Sequence, residues 1–300
     1  MYKGENKSVF WSKFYMISRT VLVYVVLTLL TLLCLFTMYL LIINTTRSNE
    51  AIRRGFSAIP GGSIGHNFGL LFDNMNPDGA PSTYNVNILQ SMGNSFIVAS
   101  LSTLCTVYFS TVIAYGIHMY RFKLRNAAFT FILVVMMIPT QVSTTGFVRM
   151  CYQLNWIGHF FPLIIPSIAA PVTFFYIKQY MESVLPFEMV EAARVDGAGE
   201  IRIFHQIVLP VMKPALAVQV IFAFVASWNN YFVPQLVLAG AAKKHTMPIV
   251  IDKMYSGSNK ALDYGMINAV LFIAVIPLVI VYFIFSRFIL KGLTLGAVKG

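Results

Sequence analysis

Charge is what this sequence has least of. Only 11% of its 300 residues are charged, and just 11 are acidic, against about a quarter charged in soluble domains. So few charges cannot cover a globule of this length with solvated surface, which excludes an ordinary soluble domain and a disordered chain. Cysteine is nearly absent: Cys34, Cys105 and Cys151 sit in or beside apolar runs with no repeating spacing, so neither a disulfide framework nor a zinc site is indicated. No Gly-x-x-x-x-Gly-Lys-Ser/Thr loop occurs, so the chain should not bind and hydrolyse ATP by itself. His-Glu-x-x-His and Gly-x-Ser-x-Gly are missing as well, which argues against an intramembrane hydrolase. The histidines at 66, 118, 159, 205 and 245 are scattered and read as structural.

What is present is apolar: 57% of the residues are hydrophobic, and they gather in long runs. A bilayer core of about 30 Å needs about 20 apolar helical residues. Six stretches of that kind lack Lys, Arg, Asp and Glu: Thr20–Ile43, Asn94–Met119, Ala127–Val148, Ile157–Ile177, Pro214–Ala239 and Gly265–Ser286. The first is too long for the apolar region of a signal peptide and no small-residue cleavage site follows, so it is expected to stay as an anchor.

Basic residues set the orientation. Fourteen of the 22 Lys and Arg fall on the side that holds both termini and eight on the other, which predicts cytoplasmic termini. The net charge of +11 is then explained by cytoplasmic loops facing anionic lipid. No basic stripe with interleaved aromatics suggests nucleic acid. The expected plan is a cytoplasmic tail over 1–19, an anchor helix over 20–43, an extracellular loop over 44–93 rich in turn signals such as Asn76-Pro77-Asp78-Gly79, a core over 94–290, and a cytoplasmic tail over 291–300.

The absence of ionisable residues within the spans is informative, because carriers driven by proton or sodium gradients place such groups near the midplane. The energy source is expected elsewhere. Uncharged polar groups do occur: Gln141 and Thr144 after Pro139, and Trp228, Asn229, Asn230 and Tyr231 before Pro234. Hydrocarbon cannot satisfy them. They read either as interhelical hydrogen bonds beside a proline kink or as a path for a neutral, hydroxyl-rich solute.

Between the fourth and fifth spans, Pro186 to Pro210 reads as helix, turn, helix. Glu188 and Glu191 suit the first helix's N-terminal turns, Gly197 and Gly199 permit a tight reversal, and Pro210 and Pro214 mark the return to the membrane. An apolar surface of small residues outside the membrane wants a protein partner, unless it rests on lipid headgroups. The run Glu191-Ala192-Ala193, then Gly197, then Ile207 and Leu209-Pro210 resembles the EAA loop of the membrane subunits of binding-protein-dependent ABC importers, at that family's spacing. Trp228-Asn229-Asn230-Tyr231-Phe232-Val233-Pro234 and the ending Lys291 to Gly300 resemble the short-tailed, six-span partner of the maltose-type carbohydrate permeases.

The resemblance implies an all-α polytopic membrane protein of six transmembrane helices with the type I ABC importer permease fold, in a bacterial cell membrane. It implies a transporter subunit, not an enzyme, that imports a di- or oligosaccharide as half of a heterodimeric pore with a second permease subunit, two ATP-binding subunits and an extracellular solute-binding protein. ATP and Mg would sit on the ATP-binding subunits, with no cofactor on this chain. Glu191, Ala192, Ala193, Asp196, Gly197, Ile207, Leu209 and Pro210 would form the loop that docks on the ATPase. Leu293, Gly296, Lys299 and Gly300 would reach between the ATPase subunits, and Lys243, Lys244 and Lys253 would face the binding protein. An importer of glycerol-phosphate-type solutes is the alternative within the family, and a gradient-driven carrier the alternative outside it.

Overall fold

The computed structural model describes the backbone of residues 5–73, 87–256 and 263–297, and every regular element among them is a helix. The chain divides into two compact units, Met1–Leu71 with Asp263–Phe272, and Phe72–Leu262 with Ile273–Gly300.

The first unit is dominated by α1, Glu5–Thr45. The anchor was expected to begin at Thr20, but nothing between Glu5 and Thr45 is Gly or Pro, so no residue stops the helix and most of the amino-terminal tail joins it. From Tyr15 to Tyr39 its apolar side chains are exposed all round, Leu22 and Leu33 among them, as suits a helix in lipid. Beyond it the chain turns over polar contacts. The buried Arg47 donates to the carbonyls of Ala51 (2.6 Å) and Gly55 (2.9 Å). Asn67, fully buried, donates to the carbonyls of Thr45 (2.8 Å) and Arg47 (2.9 Å). Two short helices occupy the expected extracellular loop, α2 (Asn49–Arg53) and α3 (Ile64–Asp73). The turn expected at Asn76-Pro77-Asp78-Gly79 lies outside the described residues.

The second unit is built around α4, Ile88–Met119, capped by Asn87 at its start. Ser91, Ser95, Ala99, Ser102, Thr106, Ser110 and Ala114 line its buried face, and small residues at that spacing let neighbouring backbones approach closely. Against it lie α8 (Pro171–Val184) and α11 (Leu209–Trp228). Its hydroxyls also repair proline damage. Thr106 Oγ1 donates to the Ser167 carbonyl at 3.0 Å, whose helical partner would be Pro171, which has no N–H.

Five helical segments among the described residues are long and apolar enough to cross a membrane: those within α1, α4, Phe161–Val184, the rod ending in α11, and α14 (Tyr264–Ala297). The expected third span is not a single helix. It is a pair, α5 (Arg125–Met136) and α6 (Thr140–Gln153), broken at Pro139. Twelve residues of α5 reach about 18 Å, short of a bilayer core. Where six continuous spans were expected, the described residues hold five such segments and this broken pair. The fourth expected span is also interrupted, into α7 (Phe161–Ile164), a tight 3₁₀ turn over Ile165–Ile168, and α8. The fifth starts before Pro214, which lies inside α11, and stops at Trp228; a break at 229–231 precedes α12, Phe232–Leu238. A short 3₁₀ turn and α13 (Met247–Ser256) follow.

Candidate functional site

Three regions of the second unit bear on function: the loop of residues 186–210, a cavity among the core helices, and the segment after α12.

The loop opens with α9, Phe187–Val195, and turns at Gly197, whose φ of +80° is a backbone conformation that favours glycine. Three backbone bonds close the turn at 3.0 Å each: Asp196 to Ala192, Gly197 to Arg194 and Ala198 to Ala193. They satisfy carbonyls that a helix end leaves unpaired. The return helix α10, Glu200–Ile203, runs through a π-helical turn at Phe204–Val208 directly into α11. Pro210 lacks the N–H that would meet the Gln206 carbonyl, which accounts for the loosened turn there.

The loop has an inner and an outer face. Inside, Val190, Ile203, Phe204 and Val208 share one core with Ala114 and Tyr115 of α4 and Ile177 and Met181 of α8, with Ile207 and Leu209 packed at its edge. Outside, Val195 is 88% and Ile201 78% exposed, beside exposed Met189, Glu188, Glu191, Ala192 and Asp196. Ala193 is half-buried and Pro210 exposed. The motif thus splits physically: its first half is presented and its second half anchors.

One cluster at this loop was not foreseen. The Glu200 carboxylate accepts from Arg194 Nε at 2.7 Å through Oε1 and from the Tyr115 hydroxyl at 2.8 Å through Oε2. The Arg194 guanidinium lies over the Tyr120 ring, 5.4 Å from its centroid. The hydrogen bond from Arg194 holds the Glu200 carboxyl well below the usual carboxylate range, and the same bond raises the guanidinium's own value. Opposite charges flanking the Gly197 turn could have signalled the pair; Tyr115, far away in sequence, gave no such signal.

A cavity of about 690 Å³, open on the side of the exposed Tyr176 and Phe222, lies between α4, the α7–α8 segment and α11. Ser102, Thr106, Ser167, Thr173, Tyr176, Gln219, Ser227 and Asn230 supply its polar lining and Leu163, Val172 and Phe222 part of its apolar lining; no charged residue lines it. Ser102, Thr106 and Ser167 donate their hydroxyl hydrogens to backbone carbonyls. The side chains of Thr173, Tyr176, Gln219, Ser227 and Asn230 take no hydrogen-bond partner among the described residues. Gln219 is the most enclosed of these, 7% exposed.

Of the residues expected on a solute path, only Asn230 lines this cavity. Trp228 is buried and stacked on Phe224, ring centroids 5.7 Å apart. Asn229 is exposed, and the Tyr231 hydroxyl donates to Asp252 Oδ2 at 3.0 Å. Thr144 is buried on α6, and the side chain of Gln141 lies outside the described residues. The amide of Gln219 within the fifth apolar run was the missed signal.

After α12, Lys244 Nζ donates to the Gly158 carbonyl at 2.7 Å, and exposed Lys253 lies 3.2 Å from His245 Nδ1. Lys243 is exposed, and its carbonyl accepts from Asn94 Nδ2 at 2.9 Å. His245 is buried, and its imidazole is pushed below its ordinary value by burial first and by the Lys253 charge second. At the carboxyl end the backbone of α14 continues through Leu293 and Gly296 to Ala297; their surroundings, Lys299 and Gly300 lie outside the described residues. No cluster of three His, Cys, Asp or Glu side chains is placed to hold a metal among the described residues.

Residues 88–294 match the family described as binding-protein-dependent transport system inner membrane component. The chain is 34% identical over 209 residues to the arabinooligosaccharides transport system permease protein AraQ of Bacillus subtilis (strain 168), covering 69% of this chain and 72% of that one. It is 30% identical over 277 residues to the lactose transport system permease protein LacG of Rhizobium radiobacter, covering 92% and 95%. Over 200 residues it is 33% identical to the sn-glycerol-3-phosphate transport system permease protein UgpE of Yersinia pestis, covering 67% and 70%. Its fold matches a chain from the crystal structure of a bacterial ABC transporter involved in the import of the acidic polysaccharide alginate, with a TM-score of 0.73 at 19% identity over 96% of this chain and 98% of that one.

Proposed function

The chain belongs to the family of binding-protein-dependent transport system inner membrane components and is the permease subunit of an ATP-driven importer; from that premise we propose that its solute is a di- or oligosaccharide. It is a multi-pass inner-membrane transporter subunit rather than an enzyme.

The observation that supports the saccharide most directly is the cavity. Its volume of about 690 Å³ falls in the range of small-molecule sites. Five of its polar side chains have donors and acceptors uncommitted within the described residues, and it holds no charge. Hydroxyls, amides and the Tyr176 ring suit a neutral, hydroxyl-rich solute, and such groups are not satisfied by hydrocarbon. The names of AraQ and LacG agree with that chemistry. UgpE stands for the rival solute, but a phosphate would ask for a cation that this cavity lacks.

The exposed face of α9 and α10 docks on one of two ATP-binding subunits, which hold ATP and Mg, and Gly197 keeps the loop a rigid elbow that transmits their closure. A second permease subunit completes the pore. An extracellular binding protein delivers the sugar near Lys243, Lys244 and Lys253, and the carboxyl-terminal residues 291–300 reach the ATPase. Both termini are cytoplasmic in this reading.

The test is uptake by vesicles that hold this chain with its partner permease, ATPase and binding protein, offered labelled arabinotriose, lactose and sn-glycerol 3-phosphate. A saccharide should accumulate only with ATP and despite a protonophore. Uptake of glycerol 3-phosphate alone would overturn the saccharide assignment.

A further inference from the structure

We propose that Tyr115, Glu200 and Arg194 form a clamp that makes the loop and α4 one rigid body, and that α4 is the strut joining the cytoplasmic loop to the external segment 243–247. The proposal rests on the reading of residues 186–210 as the ATPase-docking loop, and goes beyond it by naming the residues that carry the motion onward.

The inner end is fastened at both legs of the loop. Glu200 opens α10 and is held at once by Arg194 from α9 (2.7 Å) and by the Tyr115 hydroxyl from α4 (2.8 Å). Both carboxylate oxygens are therefore engaged, one across the Gly197 turn and one across to the membrane helix. Bonds to an ionised acceptor are stronger than neutral ones. Phe204 packs on Tyr115 with centroids 5.6 Å apart. At the start of α9, Phe187 stacks on His118, 5.0 Å between centroids, while His118 Nε2 bonds the Leu185 carbonyl at 3.0 Å.

The outer end is fastened as well. Asn94 Nδ2 donates to the carbonyls of Lys243 (2.9 Å) and His245 (3.0 Å). The Met247 N–H donates to Ser95 Oγ at 2.8 Å.

α4 as a whole runs 32 residues without a proline, and the stretch between these ends, Asn94 to Tyr115, is about 32 Å of continuous helix. The other long segments of this unit are interrupted or carry proline: Pro139 between α5 and α6, Pro171 at the start of α8, Pro214 within α11 and Pro277 within α14. A displacement at the loop is absorbed where a helix can hinge and passed on where it cannot. The proline-free helix, with hydrogen bonds at both ends, is the one suited to pass it.

The experiment measures how strongly the binding protein stimulates ATP hydrolysis by the whole transporter in nanodiscs, with ATP as the probe. That signal crosses the membrane from outside to inside and needs no knowledge of the sugar. In Glu200→Gln and Tyr115→Phe, basal hydrolysis and complex recovery should match wild type, while stimulation falls at least tenfold in the first and severalfold in the second. The charge swap Arg194→Glu with Glu200→Arg should restore at least half of it, which a general loss of folding would not allow. Wild-type stimulation in both single variants overturns the clamp. If the single variants fail to assemble, the swap decides: restored stimulation supports the clamp, and its absence overturns it. Val195→Asp, on the exposed face of α9, separates the two readings. Full stimulation in that variant sinks the docking loop itself, whereas loss there with intact clamp variants sinks the clamp alone.

Discussion

Replacing Gln219 with leucine keeps the bulk of the side chain and removes its polarity, so it isolates the contribution of one amide to the cavity. That amide offers two donors and a carbonyl acceptor, is 7% exposed, and faces a space lined without charge. A bound sugar would engage it through about two neutral hydrogen bonds, each worth roughly 0.5–1.5 kcal/mol net. Together that is about 1–3 kcal/mol, or roughly 5- to 150-fold. At saturating loaded binding protein, the handover into the cavity is the step that feels this loss. Transport of labelled arabinotriose or lactose by reconstituted vesicles should therefore fall within that range, with the complex recovered in normal amount. Gln219→Glu should fall further, because a carboxylate at this depth must either neutralise or recruit a counter-charge. Wild-type transport by an assembled Gln219→Leu complex would refute the reasoning and remove this cavity from the sugar's path.

Other perturbations test separate parts. Gly197→Trp finds open space around its added Cβ but sits at φ +80°, so it should assemble yet lose uptake through a distorted turn; normal uptake at normal expression contradicts this. Gly265→Ala would place a Cβ 2.5 Å from Asn67 Oδ1, displacing the amide that holds the Thr45 and Arg47 carbonyls. A loss of about 1–3 kcal/mol should lower the unfolding temperature in detergent, and an unchanged transition speaks against it. His245 has a folded-state value pushed below 6.5, so the unfolded chain binds the extra proton first and stability rises with pH. Its contribution should be full above about 6.5 and decline as pH falls below that, a slope that His245→Asn should flatten in thermal melts; an equal slope in both proteins rejects this.

The helix-turn-helix shape of residues 186–210 was legible because its information is local. Glu191-Ala192-Ala193, Gly197 and Leu209-Pro210 lie within one short stretch, and the glycine does what its type suggests, adopting a positive φ. Helical segments were legible because hydropathy sums over about 20 residues. Their interruptions were not, since hydropathy is blind to Pro139 breaking α5 from α6 and to α1 absorbing the charged tail. The cavity was hidden for a different reason. Ser102, Ser167, Thr173 and Gln219 come from separate helices, and only packing reveals that their polar sides converge. Trp228 shows the converse: a polar-looking motif marked it for the solute, yet its ring fills the core against Phe224.

The uncharged cavity and the clamp bear on each other. A site with no Asp, Glu, His, Lys or Arg in its lining has nothing that a proton gradient could load or unload, so work must reach it mechanically. Ser102 and Thr106 stand on the same helix as Tyr115, with Thr106 about 14 Å along the axis from the clamp. A shift of the loop then moves one wall of the cavity directly, while α8 and α11, with proline at Pro171 and Pro214, can yield at those points. On the proposed clamp, alternating access reduces to one stiff wall driven from below and compliant walls that need not follow it in register. Introducing a hinge tests that division: proline at Ile113, two residues before the clamp tyrosine, should leave the cavity lining in place but abolish stimulation of ATP hydrolysis by the binding protein. Retained stimulation with a helix broken there would show that the motion travels through other elements.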